Sequence, residues 1–313
     1  MTLRAIYEVP APAKLNLFLH VVGRRADGYH LLESLFVLID WCDTLHFELR
    51  LDGALARHDL GTSLPADDLC LRAARALQAA SGTPFGADIL IDKQVPWGAG
   101  LGGGSSDAAS TLIALNRLWS LCWSRSRLMA LGLTLGADVP FFLGGRNAFV
   151  EGIGERLSPV SVAPQWLAVL KPAANIETSA IFASPLLARS PARHHGTDIL
   201  ESLPANEEHA SARLLLAPGF GRNDLQAAAQ AESAEVAQAA TWLHAAFGNS
   251  RMTGSGSAVF ARAGFVGRAD EPTPLMPLPM STLTSMDTAA AAGWVGRMSK
   301  SLVAHPLAGW CTD

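Results

Sequence analysis

Five glycines lie within seven residues of this sequence, between Gly98 and Gly104, in a segment that runs from Pro96 to Ser106. Glycine lets the backbone turn sharply and approach a ligand closely. Apolar residues with helical spacing follow the glycines and predict a helix over residues 105–119. Successive backbone N–H groups then converge at the positive end of the helix dipole. This arrangement favours the binding of a phosphate group.

Other glycine motifs fit this segment less well. Gly98, Gly100 and Gly103 match the dinucleotide-binding pattern GxGxxG, but no Asp or Glu between Asp107 and Asp138 follows to hold a ribose. The lysine of a Walker A motif is missing, and so are the HRD and DFG sequences of protein kinases. A purely structural glycine loop remains open as an alternative.

Lysine is scarce, and the 24 basic residues include only four of them: Lys14, Lys93, Lys171 and Lys300. Some sites need the compact ammonium of lysine and cannot use the planar guanidinium of arginine, so each lysine is a candidate functional residue. The alternative is that lysine occurs at any one of these positions by chance. Residues 13–22 alternate in polarity and predict a strand, which places Lys14 and Asn16 on the same face.

The composition argues against several classes of protein. The net charge is −4 without a long basic run, so no nucleic-acid partner is expected. Residues 1–10 lack the apolar core of a signal peptide, and no apolar run is long enough to span a membrane. The four cysteines lack metal-ligand spacing and indicate free thiols in a reducing compartment. We therefore expect a cytoplasmic protein that does not bind membranes.

The remaining pattern predicts a mixed chain of helices and strands. A helix over residues 126–135 should end at Gly136, followed by a loop with Asp138 and Pro140 and then an apolar strand. Residues 264–292, rich in Pro, Thr, Ser and Ala, are expected to be partly irregular, and His194 and His195 to lie in a surface loop. The other predicted strands cover residues 32–39, 45–51, 87–92, 166–170 and 258–261, and the other helices cover residues 67–80, the region near 180, and 226–247.

Three segments resemble the motifs of the GHMP kinase superfamily. The segment 96–106 resembles the second motif, P-x-G-x-G-L-G-x-S-S, with one extra glycine. Residues 12–17 (Pro-Ala-Lys-Leu-Asn-Leu) resemble the first motif, and residues 253–257 (Thr-Gly-Ser-Gly-Ser) the third, a second glycine turn against the phosphates. The resemblance implies an α+β fold with two domains and a cleft between them. Residues 1–163 would form an S5-like α/β, ATP-binding domain, and residues 164–313 a ferredoxin-like C-terminal domain.

Further segments narrow the resemblance to one family. Residues 26–30 (Ala-Asp-Gly-Tyr-His), 91–93 (Ile-Asp-Lys) and 133–140 (Leu-Thr-Leu-Gly-Ala-Asp-Val-Pro) look like those of the 4-diphosphocytidyl-2-C-methyl-D-erythritol kinases. That family phosphorylates the 2-hydroxyl of 4-(cytidine 5'-diphospho)-2-C-methyl-D-erythritol with ATP and Mg²⁺, in the non-mevalonate route to isopentenyl diphosphate. Another GHMP kinase, of the homoserine or mevalonate type, is the alternative, and it should lack the Gly28-Tyr29-His30 sequence.

The resemblance also implies roles for individual residues. Asp138 would be the general base, with Lys14 beside it. Asp68 departs from the asparagine that the family often has there for its adenine contact, which puts that contact in doubt. The predicted ATP-binding residues are Asp68, Lys93, Pro96, Gly98, Ala99, Gly100, Leu101, Gly102, Gly103, Gly104, Ser105 and Ser106, with Ser106 near Mg²⁺. The predicted substrate-binding residues are Asn16, Tyr29, His30, Thr178, Phe182, Gly254 and Ser255.

Overall fold

The computed structural model describes residues 3–189, 221–265 and 293–313. Residues 194–195, expected in a surface loop, lie outside the described residues. The same holds for residues 266–292 of the segment 264–292, which was expected to be partly irregular, whereas Gly264 and Phe265 belong to a strand. In the described part of the chain, the strands are β1 (Ala5–Arg24), β2 (His30–Arg50), β3 (Leu55–Asp59), β4 (Gly86–Asp92), β5 (Ala148–Gly152), β6 (Arg156–Pro159), β7 (Gln165–Lys171), β8 (Arg251–Met252), β9 (Val259–Phe265) and β10 (Val295–Lys300). The helices are α1 (Leu69–Ser81), α2 (Gly103–Leu118), α3 (Arg125–Leu133), α4 (Val139–Gly144), α5 (Thr178–Ala183), α6 (Gln226–Glu232) and α7 (Ala234–Phe247), followed by a short 3₁₀ helix, Ala308–Trp310.

The first sheet contains six strands in the order β3-β4-β2-β5-β6, with β1 paired to β2. The prediction of separate strands over residues 32–39 and 45–51 was wrong, because β2 is a single strand of 21 residues. It stays continuous because β1 pairs along it, including the predicted break, where Pro12 faces Cys42. The apolar sides of α1 and α2 pack on this sheet through residues such as Leu77 and Leu112.

Strand β1 is buried on both faces, although the alternation predicted only one apolar face. Leu15 and Leu17 pack against Leu167 and Phe260 of the second sheet. On the other side, the ammonium of Lys14 lies 4.5 Å from the ring centroid of Phe36. The strand is therefore shared between two layers, and its polar side chains are enclosed.

The region after α2 differs from the prediction in two ways. Helix α3 is capped by the side chain of Ser124 and ends at Leu133, so Gly136 is not its C′ glycine; the N–H of Gly136 still reaches the carbonyl of Gly132 at 3.2 Å. The expected loop around Pro140 contains helix α4. Proline suits this position because the first turn of a helix has no use for its missing N–H.

The second sheet contains four strands in the order β10-β7-β9-β8. The helices α6 and α7 cover it, and Val236 and Leu243 join Leu170 and Ala261 in one apolar cluster. The single helix predicted over residues 226–247 is divided at Ser233, whose backbone is extended with φ −140° and ψ 114°.

The C-terminal residues return to the first sheet. The N–H of Leu302 donates to the carbonyl of Leu38 at 2.8 Å, and the amide of Asn147 donates to the carbonyl of Leu302 at 2.8 Å. The division of the chain into domains at residues 163 and 164 stays a prediction. None of the helices that the structure describes is both long and apolar enough to cross a membrane.

Candidate active site

The glycine loop turns directly into helix α2. Gly102 occupies the position before the helix with φ 71°, in the left-handed region that favours glycine. A Cβ atom there would lie 3.1 Å from Cγ of Lys14 and 3.0 Å from the ring of Phe142. The loop therefore lies on the side chain of Lys14, and no larger residue fits between them.

The second glycine turn contacts the first loop backbone to backbone. A Cβ atom on Gly100 would lie 2.3 Å from the carbonyl oxygen of Thr253, and one on Gly254 would lie 3.1 Å from Cα of Gly100. The hydroxyl of Thr253 also accepts the N–H of Asn16 at 2.9 Å. The three motifs that are far apart in sequence therefore meet at one place.

The carboxylate of Asp138 lies 3.5 Å from the ammonium of Lys14. Lys14 is 3% exposed, whereas the side chain of Asp138 is 30% exposed and open to the cavity. Asp138 precedes α4, but its side chain makes no capping hydrogen bond. The carboxylate is thus available to a ligand rather than committed to the helix end.

Asn16 has an amide group that is engaged within the protein. Its oxygen accepts from the ammonium of Lys14 at 2.6 Å, and its nitrogen donates to the hydroxyl of Ser34 at 2.9 Å. The predicted substrate contact of Asn16 stays a prediction, and the observed contacts are those of a residue that holds Lys14.

Three cavities share walls around these residues. A cavity of about 240 Å³ lies over the glycine loop, including Pro96, Ala99, Leu101 and Ser105. It shares Gly98, Gly100 and Gly102 with a cavity of about 330 Å³ that contains Lys14 and Asp138. That cavity shares Leu32, Ile153, Thr178 and Phe182 with a third, of about 580 Å³, next to Tyr29 and His30. The three cavities therefore form one continuous cleft, and Asp138 lines the cavity in its middle.

At the far end of the cleft, His30 stacks on Phe182, with ring centroids 4.9 Å apart and an angle of 20° between the planes. Tyr29, at the turn between β1 and β2, is 62% exposed. Burial lowers the pKa of His30, and the positive charges of Arg24 and Arg189 add to this effect. The imidazole is therefore favoured in its neutral form, with one donor and one acceptor nitrogen.

Thr178 and Ser255 lie between the two ends of the cleft. Their hydroxyl groups are 2.7 Å apart, which links the start of α5 to the second glycine turn. Both residues and Gly254 line the cavity that contains Asp138. The structure thus places these three predicted substrate contacts together.

Lys93 lies beneath the glycine loop with its ammonium held between two buried carboxylates. It donates to Asp107 at 2.7 Å and also to Asp43. Burial alone would lower the pKa of Lys93, but the two carboxylates outweigh it and raise that pKa. Gly103 lies close by, since a Cβ atom there would be 3.3 Å from the ammonium. Asp43 and Asp107 were missed from the sequence because nothing local indicates that they share a partner.

The carboxylate of Asp68 is engaged with other groups of the protein and is not free to contact a nucleotide. Its carboxylate caps α1 by accepting the N–H of Leu71 at 3.1 Å, and it pairs with Arg57 at 2.8 Å. The doubt about its adenine contact therefore has a physical basis. By contrast, the hydroxyl of Ser106 is fully buried at the start of α2 and has no hydrogen-bond partner.

The fold and the glycine loop define the class of protein. Residues 68–146 match the family described as GHMP kinases N terminal domain. A crystal structure of homoserine kinase from Cytophaga hutchinsonii superposes with a TM-score of 0.66 over 97% of this chain and 96% of that chain, at 16% identity. This likeness shows the fold, which is that of the GHMP kinases.

Relatives of higher sequence identity identify one family within this class. The chain is 61% identical over 311 residues to the 4-diphosphocytidyl-2-C-methyl-D-erythritol kinase of Methylibium petroleiphilum, and 52% identical over 314 residues to that of Verminephrobacter eiseniae, with 99% of each chain covered. A crystal structure of 4-(cytidine 5'-diphospho)-2C-methyl-D-erythritol kinase matches with a TM-score of 0.67 at 33% identity, covering 94% of this chain and 98% of that one. The chain belongs to the 4-diphosphocytidyl-2-C-methyl-D-erythritol kinase family.

Proposed function

We propose that this chain transfers the γ-phosphoryl group of ATP to the 2-hydroxyl of 4-(cytidine 5'-diphospho)-2-C-methyl-D-erythritol. This step belongs to the non-mevalonate route to isopentenyl diphosphate. The observation that carries the proposal is the position of Lys14 and Asp138, 3.5 Å apart, where the glycine-loop cavity meets the cavity that leads to His30 and Phe182.

The phosphates of ATP would lie on the glycine loop. The N-terminus of α2 supplies converging N–H groups and a favourable dipole for anions. Gly100, Gly254 and Gly256 line the cavity that contains Lys14 and Asp138, so glycines of both turns face the cleft. Transfer of a phosphoryl group depends mainly on positioning and on neutralising charge, which this arrangement provides.

At the reacting end, Asp138 accepts the proton of the substrate hydroxyl, and Lys14 stabilises the negative charge that develops on that oxygen. Because Asp138 makes no capping hydrogen bond, proton acceptance does not compete with a structural role.

Mg²⁺ would enter with ATP. The residues that the structure describes include no group of three or more His, Cys, Asp or Glu side chains that could hold a metal by themselves. Mg²⁺ usually rests on phosphates with only one or two protein oxygens. The unpartnered hydroxyl of Ser106 would supply one of them if its side chain turned from its buried position toward the glycine-loop cavity. The ion would neutralise charge on the phosphates.

The cytidine would bind against Phe182 and His30. An aromatic ring stacks on a nucleobase, and a neutral imidazole can meet the donors and acceptors at the edge of the base. Thr178 and Ser255, joined at 2.7 Å, would hold the diphosphate or the alcohol between this site and Asp138. The cytoplasmic location expected from the sequence stays a prediction.

The test compares alcohol acceptors at equal concentration with ATP and Mg²⁺. The purified chain should phosphorylate 4-(cytidine 5'-diphospho)-2-C-methyl-D-erythritol far faster than methylerythritol phosphate, because contacts to the remote base position the reacting hydroxyl. Homoserine and mevalonate serve as the third and fourth acceptors. Equal turnover of the cytidylyl compound and methylerythritol phosphate, or preference for homoserine or mevalonate, would contradict the proposal.

A further inference from the structure

Ser34, which lies in β2, is connected to the candidate catalytic lysine through one side chain. Its hydroxyl donates to the backbone carbonyl of Phe18 and accepts the amide nitrogen of Asn16 at 2.9 Å. Asn16 in turn accepts from the ammonium of Lys14 at 2.6 Å. Ser34 and Asn16 are each 1% exposed, so water does not compete for these bonds.

The direction of these hydrogen bonds is determined by the carbonyl of Phe18. A carbonyl can only accept, so the single proton of the Ser34 hydroxyl points toward it. The oxygen of Ser34 then offers a lone pair to Asn16, which must present its NH₂ group there. Consequently the amide oxygen of Asn16 faces the opposite way, toward Lys14. The reversed amide would place NH₂ against an ammonium, which has no acceptor.

The carbonyl of Phe18 is available because β1 is irregular at this point. The register between β1 and β2 shifts between Asn16 and Leu19. A bulge leaves a backbone group out of the regular ladder, where a side chain can take it. In this case the side chain is Ser34, on the strand opposite.

The distances indicate which partner fixes the ammonium of Lys14. The contact with Asn16 is 2.6 Å, whereas that with Asp138 is 3.5 Å. Thr253 adds a second bond to the same amide oxygen, at 3.2 Å. Asn16 therefore holds the ammonium in place, and Asp138 keeps its carboxylate oxygens for the ligand.

We propose that Ser34 is a positioning residue of the phosphoryl-transfer site, which orients the amide of Asn16 so that its oxygen holds the ammonium of Lys14 beside Asp138. The expected effect on kcat rests on the proposed function. The orientation of Asn16 and the position of the Lys14 ammonium do not depend on which substrate binds. Ser34 also lines the cavity that contains Lys14 and Asp138, so the tests below must separate positioning of Asn16 from a direct contact with the ligand.

The kinetic test uses Ser34→Ala, with Ser34→Thr as the conservative variant that keeps the hydroxyl. The matched control is Ser110→Ala, because Ser110 is also buried and donates to a carbonyl of β1, that of Pro10, at 2.9 Å. Ser34→Ala should lower kcat about 10- to 100-fold and change KM for ATP less than about twofold, since misplacement of a catalytic group affects the reacting step. Ser34→Thr should recover most of kcat, and Ser110→Ala should keep it at the wild-type level.

A double variant tests the connection through Asn16. If Ser34 acts only by orienting that amide, Ser34→Ala should add almost nothing to the loss in Asn16→Ala. Losses that multiply, a wild-type kcat in Ser34→Ala, or equal losses in Ser34→Ala and Ser110→Ala would each overturn the inference.

A readout without substrate separates this inference from the proposed function. The chain has only four lysines, so the nitrogen spectrum of lysine ammonium groups is simple and the Lys14 signal can be assigned with Lys14→Arg. The Lys14 signal should move in Ser34→Ala and stay in place in Ser34→Thr and Ser110→Ala. An unmoved signal in Ser34→Ala overturns the inference even if the wild type proves to act on another alcohol. A moved signal with no cytidylyl kinase activity supports the inference and contradicts the proposed function alone.

Discussion

Gly100 and Thr253 lie so close that a single added carbon would separate the two glycine turns. A Cβ atom on Gly100 would be 2.3 Å from the carbonyl oxygen of Thr253, and Gly100 has φ 73°. Both the space and the backbone conformation therefore require glycine. The contact between the two turns thus requires glycine at this position, in addition to the phosphate contact that we propose.

We expect Gly100→Ala to raise KM for ATP about tenfold or more in folded protein. A left-handed conformation costs a non-glycine residue on the order of 1–3 kcal/mol, and the clash with Thr253 adds to this cost. The control is Gly82→Ala, because Gly82 has φ 67° but no atom within 4 Å of its added carbon. If both variants bind ATP as the wild type does, the phosphate-binding role of the loop is contradicted.

The strain argument does not extend to Gly103. Sequence reasoning suggests that Gly103→Val would strain the turn, but Gly103 is the first residue of α2 and its φ is not in the left-handed region. A side chain there would instead press on Val95 at 3.1 Å and on the ammonium of Lys93 at 3.3 Å. A lower affinity of Gly103→Val for ATP would therefore result from steric contact with Val95 and Lys93, and not from backbone strain.

Phe182→Ala should raise KM for the cytidylyl substrate about tenfold and leave KM for ATP unchanged. Its ring stacks on His30 at one end of the cleft, and loss of a base-stacking ring typically costs about 1–3 kcal/mol. Leu186→Ala, at a residue just beyond the same helix that is 53% exposed, is the matched control. Measurement of both KM values decides between a base-binding ring and an ordinary packing residue, which would affect stability alone.

Acid should destabilise the protein through His305. Its side chain is buried, and burial, together with the charge of Arg125, lowers the pKa of His305 to about 4. The unfolded chain binds the proton near pH 6.5 and the folded chain does not, so the free energy of unfolding falls as pH drops from about 6.5 to 4. The loss attributable to this group is about 3 kcal/mol.

His305→Asn tests this effect, because asparagine can still accept the N–H of Leu307 that now donates to Nδ1 of His305 at 3.1 Å. Urea unfolding at several pH values should show that the free energy of unfolding of this variant depends less on pH between about 6.5 and 4. His244→Asn changes an exposed histidine of α7 and should leave the slope as it is. A wild-type slope in His305→Asn would show that other groups cause the acid sensitivity.

Local patterns in the sequence allowed the main features of the site to be predicted. The glycines, the helix that follows them and the alternation that puts Lys14 beside Asn16 are short-range signals. The structure confirms the shared face directly, through the 2.6 Å contact between these two side chains. The GHMP kinase fold was implied by the resemblance of three segments to the motifs of that superfamily, and the comparisons confirm it.

Contacts that depend on strand register could not be predicted. Asp43 reaches Lys93 because Thr44 of β2 pairs with Asp92 of β4, and no feature of either segment indicates this register. The role of Ser34 depends on a bulge in β1. The continuity of β2 was missed because Asp40 and Asp43 interrupt its apolar pattern, whereas in the structure Asp43 and Cys42 pair with Ala11 and Pro12 of β1.

The most direct test of the catalytic site is the kcat of Asp138→Asn with both substrates saturating. Asparagine has nearly the same size, and the side chain of Asp138 does not cap α4, so the substitution should leave the fold and both KM values largely intact. It removes the negative charge and the ability to accept a proton 3.5 Å from Lys14. General-base assistance typically contributes about 10²- to 10⁴-fold, so kcat should fall within that range. A folded Asp138→Asn enzyme with a kcat close to that of the wild type would contradict the assignment of Asp138 to the phosphoryl-transfer step.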